Sequence, residues 1–216
     1  DDLSRGLGDV YKRQYQKILR EDTNKEIKAV LVCQNETASG VTSDVSAVRD
    51  LMDDAQHPAL LMVDGISSIG CINFEMDQWG VDVAIAGSQK GFMMPTGLVV
   101  VAISNKVIDQ LQRTATYYDF ADMLAANEQG YFPYTPAMTL MRGLRTGTDM
   151  LLEEGMENVY HRHNRLASAV RKAVERWNMD TQPFDKTTCS DTVTAVNTCD
   201  KICLLYTSPS PRDRSS

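Results

Sequence analysis

Through its first hundred residues the chain alternates compact apolar runs with amphipathic stretches. The run "IKAVLVCQ" (Ile27 to Gln34) is short, apolar and rich in β-formers, which predicts a buried strand of a parallel sheet. After the loop "NETASG", apolar residues at Val45, Val48, Leu51, Met52 and Ala55 recur on one helical face. That spacing predicts a helix over "DVSAVRDLMDDA", capped by Ser43 or Thr42. His57-Pro58 ends it, because the residue before proline avoids the helical region. "ALLMVD" (Ala59 to Asp64), "GVDVAIAGS" and "GLVVVAIS" read as three further strands. A strand, helix, strand rhythm of this kind predicts an α/β fold with a largely parallel sheet.

From Asn105 the period becomes helical. "NKVIDQLQR" predicts a helix, and "TYYDFADMLAANEQGYFPYTPA" a loop region rich in aromatic residues. "MTLMRGLRTGTDMLLEEG" reads as a helix weakened by Gly143 and Gly147. "MENVYHRHNRLASAVRKAVERW" is a long amphipathic helix whose apolar face carries Val159, Leu166, Val170 and Val174. Beyond Trp177 the composition shifts, and "SDTVTAV" reads as the first strand of another unit.

Composition narrows the function. With 216 residues, 43% of them hydrophobic, the chain can bury the core of one domain or slightly more. A net charge of −7, with basic residues scattered, argues against nucleic acid as a partner. No apolar run reaches membrane-spanning length, so no membrane partner is expected. Cys33, Cys71, Cys189 and Cys199 show no metal or disulfide spacing, which makes the reducing cytoplasm the default location. His161 and His163 stand two apart on a helix and cannot share a metal. "GSQKGFMMPTG" lacks the spacing of a nucleotide phosphate loop.

Both ends of the chain are expected to be foreign. "DVYKRQ" within Ser4 to Gln14 is encoded by GAT GTG TAT AAG AGA CAG, part of a transposase sequencing adapter. The reverse complement encodes "CLLYTS" (Cys203 to Ser208), and "PSPRD" continues it. Residues 1–14 and 203–216 are therefore expected to be adapter-derived, and any native targeting signal lost with the start.

Asp64 and Lys90 each follow an apolar strand. In parallel α/β sheets ligands bind beyond the carboxyl ends of the strands, so the two groups can converge on one small molecule. Pyridoxal phosphate chemistry needs this pair: an amine to form a Schiff base with the aldehyde, and a carboxylate to keep the ring nitrogen protonated. A contact ion pair is worth roughly 5 kcal/mol at an effective dielectric of about 20, enough for the second task. On spacing alone, the rival reading is a turn-capping aspartate and a solvated lysine.

"VDGISSIG", followed by "DQWGVDVAIAGSQKGFMMPTGL", resembles the signature of class V aminotransferases, a fold-type-I pyridoxal phosphate family. "NETASGV" is similar to that family's N-E-T/S-S-T-G turn. "GYFPYTPA" and the stretch from Gly143 to Trp177 resemble the serine–glyoxylate branch, and the likeness runs from Tyr15 to Val196. The resemblance implies a three-layer αβα fold with a mainly parallel sheet. It places part of a large cofactor-binding domain at 15–165 and the start of a small α+β domain at 166–202.

By the same resemblance, Lys90 is the Schiff-base lysine and Asp64 the partner of the ring nitrogen. Ile66 presses on a ring face, Thr37 supplies a hydroxyl near the cofactor, and Gln89 contacts its phosphate. Thr135 reaches the phosphate of a neighbouring subunit, which implies a homodimer with shared sites. The implied reaction moves an amino group from L-serine or alanine to glyoxylate, giving glycine and the matching keto acid. Gln34 and Thr96 depart from the family pattern, and Gly91 stands where many relatives have alanine. The family's glycine-rich phosphate segment and its substrate-carboxylate arginine are not in the sequence, which predicts weak activity for this chain alone. Two alternatives remain: a lyase of the same fold resembling cysteine desulfurases, against which Gln89 in place of histidine argues, and a gene fragment without function.

Overall fold

The computed structural model describes residues 8–112 and 117–198. Helix α1 (Gly8–Glu21) leads into strand β1 (Ala29–Cys33) and a small hairpin of β2 (Asn35–Glu36) and β3 (Val41–Thr42). Helix α2 (Val45–Asp54), strand β4 (Leu60–Asp64), strand β5 (Val83–Gly87) and strand β6 (Val99–Ile103) follow. Four helices come next: α3 (Asn105–Ile108), α4 (Phe120–Glu128), α5 (Met138–Glu154) and α6 (Met156–Arg176). A second hairpin pairs β7 (Asp180–Thr181) with β8 (Val196–Asn197).

The main sheet has the order β1-β4-β5-β6, with β1, β4 and β5 parallel and β6 antiparallel to β5. It is the mainly parallel, helix-flanked sheet that the sequence predicts. One face packs on helices: Val30, Val32, Leu61, Val63 and Ala84 meet Val45, Val48 and Met52 of α2 and Leu19 of α1. The register puts Leu31, Met62 and Val83 side by side on the other face, where Leu31 is 71% and Val99 61% exposed. At the amino end of β5, buried Asp82 accepts from Leu61 N, Ser104 Oγ and Lys106 Nζ at 2.8, 3.0 and 3.2 Å. That carboxylate locks three strands together at the end away from Asp64 and Lys90.

Several local expectations are corrected. Asp44 caps α2, not Ser43 or Thr42, because its extended backbone lets the carboxylate accept from Ala47 N at 3.0 Å. The helix from Asn105 closes after one turn at Ile108, and Arg113 lies outside the described residues. The aromatic region contains α4, started by an Asp119 carboxylate that accepts from Ala121 N. On α6 the buried residues are Val159, Ala167 and Val174, whereas Leu166 and Val170 are exposed. Only Val196 of "SDTVTAV" is in a strand, since Ser190 to Val193 are held by side-chain hydrogen bonds instead.

Helix α1 runs without a break across positions 14 and 15, and positions 165 and 166 lie inside α6. Cys199 and the residues from 203 onward fall outside the described residues. Among those described, no helix is long and apolar enough to cross a membrane.

Candidate active site

Strands β4 and β5 run parallel, so their carboxyl ends open on one edge. Asp64 ends β4 in register with Ile85, and Gly87 ends β5 two residues later, on the same sheet face as Asp64. Beyond β4 the chain makes a tight turn. Asp64 Oδ1 accepts from Ile66 N at 2.9 Å, Gly65 N donates to Ile85 O at 3.0 Å, and Ile69 N to Gly65 O at 2.9 Å. Beyond β5 the loop closes on itself. Met93 N donates to Lys90 O and Met94 N to Ser88 O, each at 3.0 Å, while buried Ser88 Oγ donates to Pro95 O at 2.7 Å.

These two turns are pressed together at glycine. A Cβ on Gly91 would lie 2.1 Å from Ile69 O and 2.8 Å from Gly70 Cα. Helix α5 backs the same loop, since a Cβ on Gly147 would lie 2.4 Å from Phe92 O. A glycine that weakens a helix by about 1 kcal/mol thus seats the lysine loop.

Asp64, Gln89 and Lys90 are exposed. Among the described residues the Lys90 amine has no hydrogen bond or ion pair, and the Asp64 carboxylate accepts only from its own turn. A Cβ on Gly87 would meet Gln89 Oε1 at 3.1 Å and Ile66 Cγ2 at 3.3 Å, so Ile66 and Gln89 both lie against the end of β5. Thr37 is exposed in the β2–β3 turn. The root of that hairpin, Asn35, donates to Ser67 Oγ at 2.9 Å, next to Ile66. Five of the six candidate residues therefore belong to connected turns at the strand ends. Thr135 stands apart, exposed on the segment between α4 and α5.

Two neighbours, half-buried Cys33 and buried Gln34, shape this edge. Burial, and after it the carboxylates of Asp64 and Glu36, push the Cys33 thiol above its ordinary range. Gln34, which the sequence leaves unexplained, donates from Nε2 to Asn73 O at 2.8 Å and from its backbone N to Asp64 O at 3.0 Å. It ties β1 to both ends of the turn after β4. Gly87 and Asn35 are the site residues that sequence reasoning missed; a small residue closing the strand before "SQK" is the signal for the first. A cavity of about 220 Å³ lies elsewhere, beside α6, lined by Arg171, Asp180 and Lys186 among others. Of its charges, Arg171 is paired with Asp191 at 3.0 Å and Lys186 with Asp180 at 2.8 Å.

The sequence model of the aminotransferase class-V family matches residues 9–202. The chain belongs to this family. Within it, the chain is 51% identical over 188 residues to a serine–glyoxylate aminotransferase of Hyphomicrobium methylovorum, covering 85% of this chain and 46% of that protein. It is 45% identical over 186 residues to an L-aspartate–glyoxylate aminotransferase of Paracoccus denitrificans, covering 85% and 47%. Among solved structures, a pyridoxamine–pyruvate aminotransferase of Mesorhizobium loti superposes with a TM-score of 0.81 at 25% identity, covering 92% of this chain and 50% of that one. The chain spans about half the length of the curated relatives it matches. Class-V membership implies pyridoxal phosphate as cofactor.

Proposed function

We propose that this chain carries the cofactor-binding centre of a pyridoxal-phosphate transaminase acting between L-serine, or alanine, and glyoxylate. The observation that carries the reading is the placing of Asp64 and the Lys90 loop at adjacent carboxyl ends of the parallel strands β4 and β5, in a chain that matches the class-V family over residues 9–202. Lys90 would hold the cofactor through its aldehyde carbon, and Asp64 would keep a proton on the ring nitrogen. Ile66 supplies the apolar ring contact, Gln89 and Thr37 the polar contacts at phosphate and ring edge, and Thr135 a contact to a second copy's site in a homodimer. When bound, the cofactor supplies an electron-accepting ring. With the cofactor in place, the Lys90 amine would be the group that takes a proton from the substrate Cα and returns it during transfer. Such general-base steps contribute about a hundred- to ten-thousand-fold.

Glyoxylate is common to the names of both curated relatives described above, which supports it as the acceptor. The free thiols Cys33, Cys71 and Cys189 support a reducing, cytoplasmic location. The test adds pyridoxal phosphate to the full-length protein that contains this segment. A visible absorbance band is expected, and borohydride should fix the label on Lys90. Lys90→Ala should lose both. Donor screening with serine, alanine and aspartate then follows glycine formation from glyoxylate. Donor breakdown without any keto acid would instead show a lyase.

A further inference from the structure

We propose that Ser190–Val193 is a positioning element for the Asp64–Ser67 turn, acting through Thr192; its bearing on catalysis rests on the reading of Asp64 above. Thr192 Oγ1 donates to Ser67 O at 3.1 Å and accepts from Asn35 Nδ2 at 2.9 Å. The same Asn35 amide nitrogen donates to Ser67 Oγ at 2.9 Å, and Ser67 Oγ donates back to Asn35 O at 2.8 Å. On the other side of the amide, Asn35 Oδ1 accepts from Ser190 Oγ and, at 3.2 Å, from Thr42 Oγ1. Ser190 Oγ in turn accepts from Thr192 N and Val193 N at 3.0 and 3.1 Å. Asn35 is 2% and Ser190 1% exposed, so water cannot replace these partners.

Ser67 is thus gripped at its carbonyl and its hydroxyl by residues distant in sequence. Three positions before it stands Asp64, whose carboxylate is aimed by the Ile66 N–H of the same turn. Ile66 and Ser67 are half-buried and lie outside the apolar core, so hydrogen bonds are the main restraint on this turn. The clamp is itself anchored to α6. Arg171 donates to Ser190 O at 2.9 Å and to Asp191 Oδ1 at 3.0 Å, and Asn164 Nδ2 donates to Asp191 Oδ2 at 2.9 Å. Movement of α6 or of the segment after it is therefore transmitted to the carboxylate at the end of β4.

Amide hydrogen exchange on this chain tests the coupling, read at Ile66, Ser68 and Ile69. Thr192→Val keeps the side-chain shape and removes the hydroxyl. It should speed exchange at those three amides about fivefold, the scale of one lost hydrogen bond, with the β4 and β5 amides unchanged. Thr192→Ser should restore protection. No change at Ile66, Ser68 and Ile69, or acceleration confined to 190–193, would overturn the proposal. If Thr192→Val loosens the entire sheet, Arg171→Met carries the test from the other end, because it removes the Arg171 hold of α6 on Ser190 and Asp191 without touching the sheet. That variant should speed exchange at Ile66, Ser68 and Ile69, and unaltered rates there would overturn the proposal. The measurement needs no cofactor. Failure to bind pyridoxal phosphate would count against the proposed function and leave the exchange result standing.

Discussion

Gly91 follows the candidate lysine, and its contact with Ile69 and Gly70 is backbone on backbone. A methyl group there, at 2.1 Å from a carbonyl oxygen, has no flexible neighbour to push aside. Gly91→Ala should therefore destabilise the chain by about 1–3 kcal/mol, the usual range for overpacking, seen as a lower urea midpoint with unchanged slope. Lys90→Ala should leave the midpoint near that of the parent, since its amine has no partner to lose. The contrast shows which residues the sequence can reveal. Lys90 and Asp64 are legible as candidates because each stands at or just past the end of an apolar strand, and their roles come from the class V resemblance. Asn35 and Gly91 are not, because their importance lies in what another turn brings against them. Asn35 meets a threonine 157 positions away, and no local pattern encodes that distance.

At the scale of elements, α5 separates intrinsic propensity from packing. Its two internal glycines look equivalent in sequence, and each weakens an isolated helix by about 1 kcal/mol relative to alanine. Their surroundings differ. A Cβ at Gly143 would meet the terminal methyl of Met94 at 3.1 Å, and methionine adjusts readily. At Gly147 the obstacle is the Phe92 carbonyl oxygen at 2.4 Å. Gly143→Ala should be neutral or stabilising by up to about 1 kcal/mol, and Gly147→Ala destabilising by about 1–3 kcal/mol, as read by thermal unfolding of the two variants. The four strands of the main sheet and the helices α2, α5 and α6 are legible because their apolar patterns are strong. The helix in the aromatic stretch was not, since Phe120 and Tyr131 are exposed and no buried stripe marks α4. The cap of α2 is not legible, because three adjacent polar residues precede the helix and any of them has the chemistry.

Over the whole molecule, the sheet is apolar on two faces, and among the described residues α1 and α2 pack on one of them while the other is in part exposed. The strands therefore read in sequence as buried throughout, while Leu31 and Val99 stand exposed. What holds the covered side together includes one junction of three elements. Asp22, just after α1, accepts from Glu26 N at 2.9 Å and Ile27 N at 2.8 Å where the chain enters β1. It also meets His57 Nε2, beyond α2, at 3.0 Å. His57 Nδ1 accepts from Ala59 N, which leaves the ring proton on Nε2, facing the carboxylate. The backbone N–H groups of Ile27 and Glu26, with a smaller contribution from His57, hold the Asp22 carboxyl at about 2, below its ordinary 3.8. A carboxyl depressed in the folded state binds its proton first in the unfolded state, so acid favours unfolding. The stabilisation is complete above pH 4 and is lost as pH falls toward 2. Urea midpoints of the parent chain should therefore drop across that window. Asp22→Asn should be less stable at pH 7, and its midpoint should fall less steeply between pH 4 and pH 2. Equal slopes for the two chains would place the acid sensitivity at other carboxylates and reduce this junction to a surface contact.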